Sequence, residues 1–311
     1  MAVYNGERFI QEQLNSLLRQ TRLPDELVVS DNSSTDGTLE IVYKFAVRAP
    51  FSVRIFVNER NLGVSKNFER AIRECTGDII FLSDSDDVWY ADKIKRMESE
   101  FTEAPGAGLV ICDAELVARD LAPLGRCLWQ TMNYRASTLT RELPDVSRYS
   151  FPHYGNCMAF RSGLKRMILP LPEGSIYMHG YHDGFIALVV VCSGSELKVV
   201  PSPLLAYRQH RRQLFGCAQS TALARWRSSW SSRTSRSSLS ELMEAVIARV
   251  ERFKPGATSR VPVLIHWQAR RNLPEKCLAR LPVVARELLT LRYRHYSNGA
   301  MTAVRDLLFV R

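Results

Sequence analysis

Apolar and polar positions follow two alternating periods along the first 120 residues. In "ERFIQEQLNSLLRQ", Ile10, Leu14, Leu17 and Leu18 fall on one helix face. "DELVVSD" is a short apolar run that predicts a strand ending at Asp31. "NSSTDGTLEIVYKFA" opens with turn and cap chemistry, and then Leu39, Val42 and Tyr43 resume helical spacing. "VRIFVN" (53–58) predicts a strand, "NLGVSKNFERAIREC" a helix with Val64, Phe68, Ala71 and Ile72 inward, and "DIIFLSD" the next strand. Strands alternating with helices predict an α/β fold around a mostly parallel central sheet. Ligands bind such sheets beyond the C-terminal ends of the strands. Asp31 and the cluster Asp84, Asp86, Asp87 lie at two such ends.

Further along, "GLVICDAELV" (108–117) predicts a strand, and "FPHYGNCMAFRSGLKRM" a strand and turn entering a helix. "YHDGFIALVVVCSG" reads as an apolar helix starting near Asp183, and "ELKVVPSPLLAYRQH" as a strand, a turn and a second short strand. A Ser/Arg-rich stretch, "RSSWSSRTSRSS" (227–238), reads as a linker. The helix "SLSELMEAVIARVERF" follows it, with Ser238 and Glu241 at capping-box spacing. "LPVVARELLTLRYRHY" is a second, Arg-rich helical segment. The expected organisation is an α/β domain over 1–218 and a basic, mostly helical extension over 219–311. Only Met1, Ala2 and Val3 precede the turn "YNG", so the first strand reads as truncated and a start upstream of Met1 is expected.

Charge sharpens that division. Residues 1–210 hold 23 basic and 26 acidic side chains; residues 211–311 hold 19 and 6, a net +13. The extension therefore calls for an anionic partner: a membrane surface, a nucleic acid or an acidic substrate. No apolar run approaches the ~18 residues of a membrane span, and the N-terminus lacks a signal-peptide pattern. Seven cysteines without a C-x-x-C pair fit reduced thiols in a cytosolic protein.

Three carboxylates within "SDSDDVW" repel one another. A hard divalent cation, which takes one or two carboxylates plus phosphate oxygens, is the simplest partner. The plain alternative is a solvated acidic loop capping the next helix. On residue types alone, Asp183 reads as a helix cap first and a site residue second.

"YNG", "VVSDNSSTDGT", "NLGVSKNFERAI" and "GDIIFLSDSDDVW", in that order, resemble the nucleotide-sugar motifs of family-2 glycosyltransferases of the GT-A fold. "GNCMAF", "YHDGFIALVVVCSG" and "LLAYRQH" resemble the acceptor side of bacterial rhamnosyltransferase-like members. The resemblance implies that Asp31 binds the pyrimidine of a UDP or dTDP donor, although Asn32 and Ser33 replace the usual acid and glycine. It implies a donor role for Asp84 at the ribose, and puts Tyr4, Asn61, Lys66 and Arg208 on the donor side as well. Asp86 and His210 are the implied metal ligands, for Mg²⁺ or Mn²⁺, and Asp183 is the implied catalytic base. His210 also reads as a strand-end histidine.

What this implies is an inverting, metal-dependent sugar transfer, with rhamnose as the donor sugar. The acceptor would be a lipid-linked or growing saccharide of the cell surface. Two rivals stand beside it: a binding relative that has lost turnover, and a nucleic-acid-binding protein. The basic residues match no nucleic-acid motif, so nucleic acid is not the expected partner. The segment 282–296 has Val284, Leu288 and Leu291 on one face with Arg286, Arg292 and Arg294 beside them, and Trp226 and Trp230 precede it among arginines. That pattern suits a helix lying on an anionic membrane, so the expected location is cytoplasmic, peripheral on the inner face of the cell membrane.

Overall fold

The computed structural model describes residues 1–131, 154–172, 182–210, 233–260, 262–274 and 277–290, together with 292, 303, 306 and 307. Its strands are β1 (Ala2–Val3), β2 (Glu26–Asp31), β3 (Ser52–Val57), β4 (Ile79–Phe81), β5 (Val88–Trp89), β6 (Ala107–Val117), β7 (Pro123–Cys127), β8 (Met158–Arg161) and β9 (Glu196–Arg208). Its helices are α1 (Ile10–Leu18), α2 (Thr38–Arg48), α3 (Val64–Glu74), α4 (Lys93–Glu103), α5 (Leu128–Thr131), α6 (Lys165–Ile168), α7 (His182–Cys192), α8 (Arg233–Phe253), α9 (Pro262–Arg271) and α10 (Cys277–Leu289).

The N-terminal half follows the predicted alternation. β1, β2 and β3 form a parallel sheet in that order, with Val3 opposite Asp31 and Asp31 opposite Val57. β2 is buried from Leu27 onward, as expected for the middle strand of a covered parallel sheet. α3 packs on β1 and β2 and buries Phe68, Ala71 and Ile72, while α1 buries Ile10, Leu14 and Leu17 and packs against α2 and β5. Glu26 fastens the base of β2. It accepts from Arg54 at 2.6 Å and from the Thr76 and Gly77 amides at 2.5 and 3.1 Å.

The second sheet departs from the mostly parallel expectation. Its order is β4-β8-β6-β9-β5, with β7 also on β6. β6 and β9 are parallel, but β8 runs antiparallel to both β4 and β6, and β5 antiparallel to β9. Parallel pairing needs a crossover element between strands; β8 and β5 are inserted without one. β9 is a single strand rather than two: the expected turn at Pro201–Pro203 is a register shift against β6, between Cys112 and Asp113. α7 is apolar on all sides and is buried almost throughout, as a core helix.

The first helix of the extension shares this core. α8 buries Leu242, Met243, Val246 and Val250 in it, and Arg249 donates to the Met167, Ile168 and Pro170 carbonyls. α8 starts at Arg233, so Ser238 is interior and not a cap. The 282–296 pattern is revised as well. α10 turns Val284 inward against Ala303 and exposes Leu281, Leu288 and Leu289. Leu291, Arg294, Trp226 and Trp230 lie outside the described residues, as does the domain boundary at 218. The cysteines at 75, 112, 127, 157 and 192 are free. Among the described residues no helix is long and apolar enough to cross a membrane.

Candidate active site

The site forms where the C-terminal ends of both sheets meet. After β2 the chain turns sharply, with Ser33 at φ 67° in the left-handed region that favours glycine. Asp31 is fully buried there. One of its carboxylate oxygens accepts from the Ser34 amide at 2.9 Å, and the other, Oδ2, is buried with no hydrogen-bond partner. Asn32, at the position where the resemblance expects an acid, is a brace. It donates to Asn61 Oδ1 at 2.8 Å and accepts from the Leu62 amide at 2.8 Å. Asn61 is thus joined to the end of β2. It lines a groove of about 610 Å³ along α3 with Lys66, which pairs with Glu69 at 3.0 Å. Asn67 fixes the same corner from below. It accepts from Ser30 at 2.7 Å and Asn58 at 2.9 Å, and donates to the Val3 carbonyl at 3.2 Å. Tyr4, at the end of β1, is 50 % exposed.

The acid loop between β4 and β5 lies beside the first turn of the chain, since a Cβ on Gly6 would meet Ser85 Oγ at 3.1 Å. Asp86 Oδ2 and His210 Nε2 are 2.8 Å apart, although 124 residues separate them. The His210 ring packs on Phe9, with centroids 4.9 Å apart. Asp86 and His210 are therefore a carboxylate–imidazole pair that could supply two ligands to a divalent cation, the rest coming from phosphate oxygens. Among the described residues no group of three or more His, Cys, Asp or Glu side chains is arranged to hold a metal by itself. Burial, and then the charges of Asp86 and Asp183, push the Asp84 carboxyl up to about 7.

Asp87 is not part of the open face. It is fully buried, accepts from Asn156 Nδ2 at 2.5 Å and from the Arg208 amide at 3.2 Å. Burial, and then the charges of Asp86 and Asp84, raise its carboxyl well above the usual range. Two buried cations flank the loop. Lys93, at the start of α4, sits over the Trp89 ring at 4.2 Å and donates to the Asn156 carbonyl. Arg208 donates to the Asp86 carbonyl at 2.7 Å, to the Arg119 carbonyl and to Glu12, and lies over Phe9 at 4.6 Å. Arg208, expected on the donor side, has its guanidinium buried among these internal partners and grips the acid loop.

Asp183, in the first turn of α7, is half-buried and faces the same space. Its Oδ1 accepts from the Gly184 amide at 2.7 Å and its Oδ2 from the Gly155 amide at 3.1 Å. Beside it His182 is buried and stacks on Phe68, centroids 4.2 Å apart. Sequence reasoning missed Asn156, Lys93, Glu12 and Asn67. A lysine at a helix start reads as solvated, and the only signal for Asn156 was its place in "GNCMAF".

Comparison with known proteins agrees with this architecture. Residues 1–167 match the model of "Glycosyl transferase family 2". A 100-residue stretch is 41% identical to the dTDP-rhamnosyl transferase RfbG of Shigella flexneri, covering 31% of this chain and 35% of that protein. Over 208 residues, 67% of this chain and 62% of the relative, it is 30% identical to the uncharacterized glycosyltransferase alr2836 of Nostoc. The chain thus spans less than two thirds of the length of these curated relatives. The crystal structure of Staphylococcus aureus TarS 1–349 in complex with UDP-GlcNAc superposes with a TM-score of 0.62 at 18% identity, covering 98% of this chain and 80% of that one. The fold is GT-A, and with the family model matching more than half its length the chain belongs to glycosyl transferase family 2, a family of glycosyltransferases.

Proposed function

We propose that this chain transfers a sugar, rhamnose in the first instance, from a dTDP or UDP donor to a hydroxyl of a lipid-linked or growing saccharide in cell-surface polysaccharide synthesis. The observation that carries the reading is the convergence of Asp84, Asp86, His210 and Asp183 on one space from three distant parts of the chain. The unpartnered Oδ2 of Asp31 supports a pyrimidine donor, because it can accept the imide N–H of uracil or thymine. The description of the Shigella relative as a dTDP-rhamnosyl transferase supports the sugar.

In this reading Asp183 takes the proton of the acceptor hydroxyl as that oxygen attacks the anomeric carbon and the nucleoside diphosphate leaves from the opposite face. The Gly155 and Gly184 amides hold both carboxylate oxygens, so the acid is oriented before the acceptor arrives. Asp86 and His210 would hold the cation, and Asp84 the ribose side of the donor. A bound divalent cation supplies neutralisation of the charge on the departing diphosphate. Arg208 and Lys93 keep the loop in place. A screen of nucleotide release with each common UDP-, dTDP- and GDP-sugar tests the proposal. Release with a UDP- or dTDP-sugar, dependent on Mg²⁺ or Mn²⁺, is expected; release with GDP-sugars alone would reject the role of Asp31.

Access to a lipid-linked acceptor suggests a membrane-side face. α10 exposes Leu281 (49 %), Leu288 (41 %) and Leu289 (84 %) in a region of net +13. An apolar helix face in a basic surround suits peripheral attachment to an anionic bilayer. Sedimentation with anionic vesicles, weakened by salt, is the expected behaviour; binding indifferent to lipid charge would reject it.

A further inference from the structure

The turn at residues 155–157 has no catalytic group of its own, yet it touches both parts of the site. Asn156 is 1 % exposed. Its side-chain amide donates to Asp87 Oδ2 at 2.5 Å, and its carbonyl accepts from the buried Lys93 ammonium. The amide of the residue before it, Gly155, donates to Asp183 Oδ2 at 3.1 Å. The turn is held at one end by the acid loop and α4, and at the other end it holds Asp183. The turn lies directly against the start of α7: a Cβ at Gly155 would be 3.7 Å from Asp183 Cβ and 3.5 Å from His182 Nε2.

The two bonds of Asn156, to Asp87 and from Lys93, lie inside the protein, where a lost partner is not replaced by water. A small displacement of the turn would move the Gly155 amide and rotate the carboxylate it holds. Misplacement of a reacting group by about 1 Å can cost ~10²-fold in rate.

We infer that Asn156 is a positioning residue for transfer: it couples the loop carrying Asp84 and Asp86 to the placement of Asp183. The inference rests on the reading of Asp183 as the base. When the acid loop is in its place, Asp87 and Lys93 fix Asn156, and Asn156 sets the amide under Asp183.

The test uses the full chain, with nucleotide release from whichever UDP- or dTDP-sugar gives turnover, and water as acceptor where no saccharide is used. Asn156→Ala is expected to lower kcat about 10- to 100-fold while the donor KM changes less than about threefold. The reciprocal exchange, Asp87→Asn with Asn156→Asp, keeps one amide facing one carboxylate and is expected to recover most of the loss. In an Asp183→Asn background, Asn156→Ala is expected to add almost nothing. A raised donor KM at unchanged kcat overturns the inference. So does a full additional loss in the Asp183→Asn background, or a thermal midpoint below the assay temperature that the exchange does not restore. Full turnover by Asp183→Asn alone instead overturns the base assignment, whatever the Asn156 variants do.

Discussion

The proposed donor side and the proposed acceptor side of the site are held together in different ways. On the donor side, Asp31, Asn32 and Asn67 are braced by partners 3 to 64 residues away, all from the first three strand–helix units. On the acceptor side, Asp183 depends on Gly155, which is followed by Asn156 on Asp87, which in turn accepts from Arg208; these links span 28, 69 and 121 residues. The first side is a local construction repeated along a parallel sheet. The second is a set of long-range ties across a mixed sheet. Damage to the first should therefore appear mainly as lost stability or donor affinity, and damage to the second as lost turnover.

The largest expected effects set the two sides apart. Asp183→Asn should lower kcat by about 10²- to 10⁴-fold with donor KM nearly unchanged, because the amide cannot take a proton. Asp86→Ala should abolish the response to added Mg²⁺ or Mn²⁺ and weaken donor binding, with a melting temperature no lower than that of the parent chain, since a repelling charge is removed. Steady-state kinetics with and without cation, beside a thermal melt, would separate these signatures; identical signatures would erase the distinction.

A smaller effect is expected from Asn67→Ala. It leaves Ser30, Asn58 and the Val3 carbonyl without a shared partner inside the core. The loss should be about 1–3 kcal/mol in urea unfolding, with kcat little changed in the folded fraction.

The same side carries an acid-sensitive clasp. Burial alone would raise the Glu26 carboxyl, but the bonds from Thr76, Arg54 and Gly77 outweigh it and bring it down to about 2. A carboxyl lowered in the folded state stabilises above its unfolded value of 4.5 and loses that contribution as pH falls towards 2. The melting temperature should fall through that window, and Glu26→Gln should flatten the fall. Smallest of all, Leu289→Ser should change stability by less than ~0.5 kcal/mol and leave turnover of a water-soluble acceptor intact, while reducing sedimentation with anionic vesicles.

The same contrast explains what the sequence could show. Asp31 and the Asp84–Asp87 cluster were legible because a βα unit puts its site residue at the end of its own apolar run. The helices α1, α2 and α3 were legible from spacing, and α7 from its uniformly apolar run. Arg208 was found, but its direction was not, because Glu12 and the Arg119 carbonyl are defined only by folding. Antiparallel insertion of β8 and β5 leaves no periodic trace, so the parallel pattern of the first half was extended too far. The inward turn of Val284 depends on Ala303, and a single-helix pattern does not reveal its partner.

The late strand β9 also bears on how the protein is made. β5, at residues 88 and 89, finds its partners only at Ala206 and Leu205, and the acid loop is gripped by Arg208. A nascent chain that has emerged only as far as β8 leaves this loop unbraced. Sheets closed by distant strands form slowly and expose apolar surface while they wait. The candidate site should therefore be assembled in one event late in synthesis, when β9 slots between β6 and β5, and a ribosome stalled before that point would carry a chain whose acid loop has not found its partners.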